Sequence, residues 1–427
     1  MNDRQTAFRV LNRIEKNKAY SNLALDAELR QNQENTVSSA FVTALVYGVL
    51  ERKITLDYIL SAFLKQPIKK LRTEVLTALR LGVYQIKFMD KVPVSAAVNE
   101  SVKLVKSNGC AYAAGLVNSV LRKVADSAVL YPERTDFLQY LSVRYSCPTA
   151  LVQHYIDDYG AENAEGILMS SIGPVPTVLR VNTLKTNETD LKEIFAAEGI
   201  ASAIGQTEHT LVLTDGGAIE QCNAYRDGLF HVQDTASALC VQALDVHPGQ
   251  TVIDVCAAPG GKTFTVAEQM ENQGKIFAFD LYPQRVALIE SGAVRLGISI
   301  IEAAVQDASI CIPSLQNRAD RVLCDVPCSG LGTIRRKPEI RYKDMGFIDN
   351  LPLLQYNILV NASKYVKEGG VLVYSTCTLN RAENDAVCDC FLQENADFQK
   401  LEAYQTLLPH KDGTDGFFFA RLGRKVQ

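Results

Sequence analysis

The chain has 427 residues, more than one hydrophobic core usually spans, and its 47% hydrophobic and 22% charged residues exclude an intrinsically disordered protein. The opening MNDRQTAFRVLNRIEKNK lacks the apolar core of a signal peptide, and no apolar run could span a bilayer, so we expect a cytoplasmic protein.

The net charge of -4 is unevenly distributed along the chain. Residues 1–150 hold 21 Lys and Arg against 13 Asp and Glu, a net charge of +8, and the remaining residues hold 23 against 35, a net charge of -12. This basic front part indicates contact with a polyanion or, equally, a solvated helical surface.

The 11 cysteines include no Cys-x-x-Cys pair of zinc spacing, so we expect no metal site. In a reducing cytosol most cysteines act as small buried hydrophobic residues. A chemical role for any one of them must therefore be argued from its local setting.

The first part of the chain has helical periodicity. Apolar residues recur at helical spacing from Thr6 to about Val124, as in AFVTALVYGVLERKITLDYIL. The pattern predicts an all-helical domain over residues 1–140. Helix breaks are expected at residues 31–35, 65–67, 90–93 and 107–109.

The pattern changes after a further helical stretch, YPERTDFLQYLSVRYSCPTALVQHYIDDYG. From residues 173–176 onward, the short β runs TVLRVN and TLVLTD flank a helix, ETDLKEIFAAEG. We therefore predict a helical linker and a small α+β module over residues 141–227.

The last part of the chain, residues 228–427, alternates strands with helices. The apolar strands are TVIDVC, KIFAFD, ISIIEAAV, RVLCDV and GVLVYSTC. This alternation predicts a Rossmann-like, doubly wound, mostly parallel α/β sheet. FQKLEAY and GFFFARL predict an antiparallel hairpin at one edge of that sheet. The basic run IRRKPEIRYK, residues 334–343, follows a strand end, which favours a ligand contact over a solvated loop.

The stretch VIDVCAAPGGKT resembles two nucleotide-binding motifs and matches neither. A P-loop needs a glycine where Cys256 stands. A dinucleotide fingerprint needs Gly-x-Gly-x-x-Gly, whereas Gly260 and Gly261 are adjacent. A P-loop ATPase is a further alternative, which Cys256 and Pro259 inside the loop disfavour.

Acids at the strand ends indicate a nucleoside cofactor, because ligands of open α/β sheets bind beyond the carboxyl ends of the strands. Asp280 lies about twenty residues past Gly260, where an acid can bond the hydroxyls of an adenosine ribose. Without a pyrophosphate fingerprint, this points to S-adenosylmethionine, with Asp307 near the adenine amino group and residues 256–262 around the methionine end. The expected cofactor-binding residues are Cys256, Ala257, Ala258, Pro259, Gly260, Gly261, Lys262, Asp280, Arg285, Asp307 and Asp325.

Two cysteines lie in turns just past apolar strands, Cys328 in DVPCSG and Cys377 in STCT, whereas Cys324 lies inside a strand. Thiols in polar turns favour chemistry over packing. A methyl donor, an acid and a thiol together suit cytosine, because a thiolate added to carbon 6 makes carbon 5 nucleophilic. An acid at ring nitrogen 3 assists the addition, and a second cysteine can assist release.

These motifs resemble those of the RNA cytosine-5 methyltransferases of the Nol1/Nop2/Sun family, in the stretches CAAPGGK, DVPCSG and STCT. The resemblance implies a class I methyltransferase domain with S-adenosylmethionine as its cofactor. It also implies that Cys377 is the nucleophile and that Cys328 helps to free the product. Asp325 and Lys262 would face the target base and the cofactor.

The resemblance covers nearly the whole chain. PVSAAVNESVKLVK and GLVNSVLRKV are similar to a NusB-like RNA-binding domain at the front of a bacterial small-subunit ribosomal RNA enzyme. This implies that the chain methylates carbon 5 of a cytosine in 16S ribosomal RNA, and we expect it to act as a monomer without a membrane or metal. The alternatives are the same chemistry on transfer RNA or large-subunit RNA, and a non-catalytic RNA-binding assembly factor.

Overall fold

A computed structural model describes residues 2–17, 21–31, 38–214 and 219–426 of the protein. The chain divides into two compact units. Unit 1 contains residues 1–173 together with residues 334–344, and unit 2 contains residues 174–333 together with residues 345–427. The division into three domains made from the sequence stays a prediction.

Unit 1 is helical, as its periodicity predicts. Its core is formed by buried aliphatic and aromatic side chains that include Phe8, Leu45, Leu56, Leu79 and Leu121. The predicted breaks at residues 65–67, 90–93 and 107–109 separate helices, and residues 32–35 of the first predicted break lie outside the described residues. The helices are α1 (Asp3–Asn17), α2 (Ser21–Gln31), α3 (Ser39–Glu51), α4 (Lys53–Ser61), α5 (Thr73–Phe88), α6 (Val94–Ser107), α7 (Ala114–Ala125), α8 (Phe137–Arg144) and α9 (Thr149–Ser170), the last kinked at Gly160.

The basic run contributes a buried arginine to unit 1. Arg341 is only 1% exposed, in the 3-10 turn Pro338–Tyr342. Its guanidinium donates to backbone carbonyl oxygens, among them those of Ser171 at 3.0 Å and Tyr145 at 3.1 Å. The ligand contact that the sequence favoured for this run is therefore wrong for Arg341, which is buried and whose two terminal nitrogen atoms donate to backbone carbonyl oxygens.

Unit 2 begins with a small antiparallel sheet of order β2-β3-β1-β4. Leu179, Phe195 and Phe230 form part of its core. Strands β2 and β4 were not predicted from the sequence, because each has only three residues. The elements are β1 (Thr177–Val181), α10 (Glu188–Ala197), β2 (Ser202–Ile204), β3 (Thr210–Leu213), α11 (Asn223–Arg226) and β4 (Phe230–Val232).

The second sheet of unit 2 confirms the predicted mostly parallel α/β fold. Its order is β10-β12-β9-β8-β5-β6-β7, with β11 paired to β12. Strands β5 to β9 are parallel, while β10 and β11 pair antiparallel with β12, and β12 pairs antiparallel with β9 at one edge. The strands are β5 (Thr251–Asp254), β6 (Lys275–Asp280), β7 (Ile301–Val305), β8 (Ala319–Asp325), β9 (Val366–Thr376), β10 (Phe398–Lys400), β11 (Gln405–Leu407) and β12 (Phe417–Arg424).

Helices cover this sheet on both faces, and two clusters of buried apolar side chains lie against it. Because both faces are covered, the central strands contain continuous buried apolar runs rather than alternating apolar and polar residues. The helices are α12 (Thr235–Gln242), α13 (Gly261–Gln269), α14 (Pro283–Leu296), α15 (Leu351–Ser363), α16 (Asp385–Glu394) and α17 (Pro409–Asp412).

Within the described residues, none of the helices combines the length and the apolar character that crossing a membrane requires.

Candidate active site

The glycine turn between β5 and α13 lies at the carboxyl edge of the parallel sheet. Gly260 has φ of 110°, and a Cβ atom there would lie 2.3 Å from the ring of Phe264, so only glycine fits. The Ala257 amide donates to the Phe279 carbonyl of the neighbouring strand at 2.7 Å. The bond between Ala258 and Pro259 is cis. The loop thus leaves the amino end of α13 open to a ligand, where backbone N–H groups are unpaired.

Asp254 ends β5 beneath this turn and is 2% exposed. The Thr263 hydroxyl donates to its carboxyl at 2.7 Å, and the Cys256 amide donates at 3.3 Å. Burial, together with the nearby Asp325 carboxylate, raises the pKa of Asp254 to about 7. Asp254 therefore holds the turn in place through its hydrogen bonds with Cys256 and Thr263.

Lys262 and Asp325 form an ion pair between α13 and the end of β8. Lys262 Nζ donates to Asp325 Oδ2 at 2.7 Å, and the Ser375 hydroxyl donates to Asp325 Oδ1 at 2.7 Å. Burial alone would lower the pKa of Lys262, but the Asp325 carboxylate and nearby thiols together outweigh burial and raise that pKa above its ordinary value. The lysine is therefore a fixed positive charge inside the site.

Cys328 and Cys377 face each other, with 3.3 Å between their sulfur atoms. The Ser329 and Thr378 hydroxyls, one residue beyond each cysteine, are 2.6 Å apart. The Gly332 amide donates to the Cys377 carbonyl at 3.0 Å. The two turns that the sequence singled out thus meet at the ends of neighbouring strands.

The two thiols have different surroundings. The hydrogen bond with Cys377, burial, and the charges of Glu383 and Asp325 raise the pKa of Cys328 well above its ordinary value. Cys328 therefore stays protonated at neutral pH and can donate to the sulfur of Cys377. By contrast, Cys324 is fully buried inside β8, as its position in an apolar run predicts.

Asp280, Arg285 and Asp307 lie on the other side of the glycine turn, at and beyond the ends of β6 and β7. Arg285 donates to the Ala258 carbonyl at 2.7 Å and lies 3.4 Å from the Asp280 carboxylate. The Asp280 side chain is 4% exposed. Asp307 accepts hydrogen bonds from the amide and hydroxyl of Ser309. Arg285 therefore ties the turn to the acid that ends β6.

A pocket joins the glycine turn to the Lys262–Asp325 pair. Sequence reasoning missed part of its wall, because residues ahead of β5 carry no strand-end signal. The Gln233 amide donates to the Gly261 carbonyl at 3.0 Å and so supports the start of α13. The lining residues are Val232, Gln233, Asp234, Ser237, Asp254, Cys256, Ala257, Ala258, Pro259, Gly261, Lys262 and Asp325.

A parallel sheet with a glycine turn after its first strand and a pocket beside that turn defines the class I methyltransferase fold. Residues 241–423 match the family described as 16S rRNA methyltransferase RsmB/F. Residues 1–126 match the NusB family, and residues 147–220 match the ferredoxin-like domain of RsmF/B-like methyltransferases.

Whole-chain relatives agree with these matches. The probable ribosomal RNA small subunit methyltransferase B of Bacillus subtilis (strain 168) is 38% identical, over 99% of this chain and 98% of its own length. That of Synechocystis sp. (strain ATCC 27184 / PCC 6803 / Kazusa) is 34% identical over 98% of both chains. The crystal structure of PH0851 covers 98% of both chains with a TM-score of 0.82 and 26% identity. The chain belongs to the RsmB family and is an rRNA methyltransferase.

Proposed function

We propose that this protein transfers a methyl group from S-adenosylmethionine to carbon 5 of a cytosine in 16S ribosomal RNA, through a Cys377 adduct. The observation that carries the proposal is the 3.3 Å contact between the sulfurs of Cys328 and Cys377, near the paired Lys262 and Asp325. Relatives named ribosomal RNA small subunit methyltransferase B support the choice of substrate.

The chemistry of the pocket suits S-adenosylmethionine. The turn around Gly260 brings backbone N–H groups to the pocket, and the buried Asp280 carboxylate at the end of β6 suits the ribose hydroxyls. Asp307 lies beyond the next strand, on the adenine side, and Arg285 orients Asp280. When bound there, the cofactor supplies an electrophilic methyl group.

The reaction begins with the thiolate form of Cys377. Its sulfur forms a bond to carbon 6 of the cytosine, and the electron pair of the 5,6 double bond becomes available at carbon 5. Asp325 assists at ring nitrogen 3 by passing on a proton from the Lys262 ammonium, which lies 2.7 Å from its carboxylate, and the proton returns when the product is released. After carbon 5 has gained the methyl group, its proton must leave before the bond between carbon 6 and sulfur can break.

Cys328 suits this release step. Its hydrogen bond with Cys377 is the leading cause of its raised pKa, and that bond weakens once the Cys377 sulfur is bonded to carbon 6. Adduct formation therefore lets Cys328 release its own proton to solvent, and the resulting Cys328 thiolate takes the proton from carbon 5. The electrons of that C–H bond restore the double bond, and the Cys377 thiolate leaves.

The basic front part of the chain and its match to the NusB family support binding of ribosomal RNA by residues 1–140. The predicted middle module, residues 141–227, would contact RNA as well, and residues 228–427 would carry out the methyl transfer. We propose that the protein acts as a monomer.

A trapping experiment tests this function. Cys328→Ala protein, incubated with S-adenosylmethionine and RNA, should give a nuclease-sensitive slow band on a denaturing gel, because release is blocked. Cys328→Ala/Cys377→Ala should give none, while Cys328→Ala/Cys390→Ala, which loses an exposed cysteine, should keep the band. A band that persists without Cys377 would contradict the mechanism.

The trapped RNA identifies the substrate class. Sequencing should recover 16S ribosomal RNA, and methyl incorporation into separated RNA classes should agree. Recovery of transfer RNA or large-subunit RNA would support the same chemistry on another substrate. RNA binding without methyl transfer would favour the non-catalytic assembly factor.

A further inference from the structure

Glu383 is a fully buried carboxylate behind the two cysteine turns. It lies in the 3-10 turn Arg381–Glu383, which follows the turn of Cys377. Its carboxylate accepts hydrogen bonds from the Ser329 amide at 2.8 Å and from the Asn380 side chain at 3.0 Å. A buried carboxylate is costly unless it is satisfied by donors, so these contacts fix it firmly in place.

These contacts join the two turns. Ser329 directly follows Cys328, and Asn380 lies three residues beyond Cys377. One carboxylate therefore holds the backbone of the Cys328 turn against the loop that carries Cys377. Displacing it would leave the Ser329 amide without its partner and let the Cys328 turn move.

Gln355 of α15 strengthens the same arrangement. Its side-chain amide donates to Glu383 at 2.8 Å and to the Pro327 carbonyl at 2.9 Å. Pro327 and Ser329 flank Cys328 in the sequence, so the backbone is held on both sides of the thiol. Glu383 and Gln355 together fix where the Cys328 sulfur points.

The charge of Glu383 acts on Cys328 as well. Cys377, Glu383, Asp325 and Tyr374 are among the titratable groups that face Cys328, and the first three favour its protonated form. A protonated Cys328 can donate to the Cys377 sulfur and so stabilises the thiolate of Cys377 rather than its own. The buried carboxylate thus favours a single nucleophile in a site that contains two thiols.

We infer that Glu383 is a positioning residue that holds Cys328 in place for product release and keeps Cys377 as the attacking thiol. This inference rests on the proposed function. Glu383 does not touch the reacting atoms and acts only through Cys328.

Adduct accumulation tests the inference. Glu383→Gln keeps the size of the side chain, removes the charge and replaces one acceptor by a donor. We expect its turnover to fall about 10-fold or more while the RNA adduct through Cys377 accumulates, as it does when Cys328 is removed. Cys328→Ala/Glu383→Gln should accumulate no more adduct than Cys328→Ala, because both changes act on one step.

Asn384 supplies the matched control. It is also fully buried, and it bonds the Thr376 hydroxyl and the Thr378 carbonyl but not the Cys328 turn. Asn384→Ala should lower turnover and adduct formation together, since it disturbs the turn of the nucleophile. Loss of adduct in Glu383→Gln, or turnover equal to that of the unchanged protein, would overturn the inference.

A second variant covers a failure of Glu383→Gln to fold. Gln355→Met removes the donor to Glu383 and to the Pro327 carbonyl while keeping a side chain of similar length. Adduct accumulation with lowered turnover is expected here too. Unchanged release in folded Gln355→Met, with Glu383→Gln unfolded, would overturn the positioning role.

Alkylation of Cys328 gives a readout that does not depend on methyl transfer. In Cys377→Ala protein, iodoacetamide labelling of Cys328 is followed against pH by peptide mass spectrometry. Adding Glu383→Gln should move the labelling midpoint to lower pH, because one of the two remaining anions is gone. An unmoved midpoint would overturn the inference. Absence of any adduct in Cys328→Ala would instead overturn the proposed function, so the two failures are distinguishable.

Discussion

Lys262 Nζ lies 2.7 Å from Asp325 Oδ2, although 63 positions separate the two residues in the chain. The pair closes one end of the pocket that begins at the glycine turn. The pair is partly buried, with side chains 14% and 27% exposed, and such a pair is costly to break from one side because the remaining charge is left without a partner. The pair is therefore sensitive to the loss of either member.

Lys262→Met should lower kcat/KM for methyl transfer about 10- to 100-fold, because Asp325 loses its fixed cation. Steady-state assays with S-adenosylmethionine and RNA measure the change. Lys275→Met is the matched control, since Lys275 is 46% exposed in its pair with Glu302 and should leave activity within about 2-fold. Equal losses in both variants would contradict the role of the Lys262–Asp325 pair.

Gly260→Ala should weaken cofactor binding about 10-fold or more, because its Cβ atom would overlap the Phe264 ring and displace the turn. Calorimetric titration with S-adenosylhomocysteine measures the affinity. Gly249→Ala separates backbone strain from the clash, since Gly249 has φ of 85° with no heavy atom within 4 Å of the added Cβ atom. It should cost about 1 kcal/mol of stability and leave the affinity unchanged. Equal affinities in the two variants would contradict this prediction.

His231 should make stability depend on pH. Burial, with the Arg180 guanidinium nearby, lowers the pKa of His231 to about 3, whereas an unfolded histidine titrates near its ordinary value. Between these values the unfolded state binds more protons, so this group's contribution favours unfolding increasingly as pH falls. When the pH falls from 7.5 to 5, the free energy of unfolding of His231→Gln should decrease by about 2 kcal/mol less than that of the unchanged protein.

Urea unfolding followed by circular dichroism measures this difference, and peptide-resolved hydrogen exchange assigns it to unit 2. His247→Gln, at a side chain 64% exposed, controls for the substitution itself. A difference between His231→Gln and the unchanged protein that stays constant with pH would contradict the prediction.

Arg341→Met should destabilise unit 1 by about 3 kcal/mol, because buried carbonyl groups would lose their charged donor. Faster hydrogen exchange in peptides from α8 and α9 measures the loss. Arg134→Met, at an exposed ion pair with Glu165, should change stability by less than about 0.5 kcal/mol. If the hydrogen exchange of α9 in Arg341→Met is as slow as in the unchanged protein, Arg341 does not stabilise α9.

The sequence predicted the sheet and its strand-end residues because both follow local rules. Continuous apolar runs marked the strands, and the turns that hold Cys328 and Cys377 followed directly. The short strands β2 and β4 have too few residues to show a period.

Long-range partners could not be predicted in the same way. Arg341 stands in a run of charges that is typical of a surface, and only the folded chain brings carbonyl groups around it. Glu383 and Gln355 lie outside the motif turns, and their role depends on contacts with a loop about 30 to 50 residues earlier in the chain.

The discontinuity of unit 1 bears on how the protein is made. Residues 1–173 leave the ribosome first, but Arg341 follows only after residues 174–333 have been translated. At elongation rates of about 5 to 20 residues per second this delay is on the order of ten seconds or more. During that interval the carbonyl groups of Tyr145 and Ser171 in nascent unit 1 lack the Arg341 guanidinium as their hydrogen-bond donor. Its folding is therefore completed late in synthesis, after most of unit 2 has been translated.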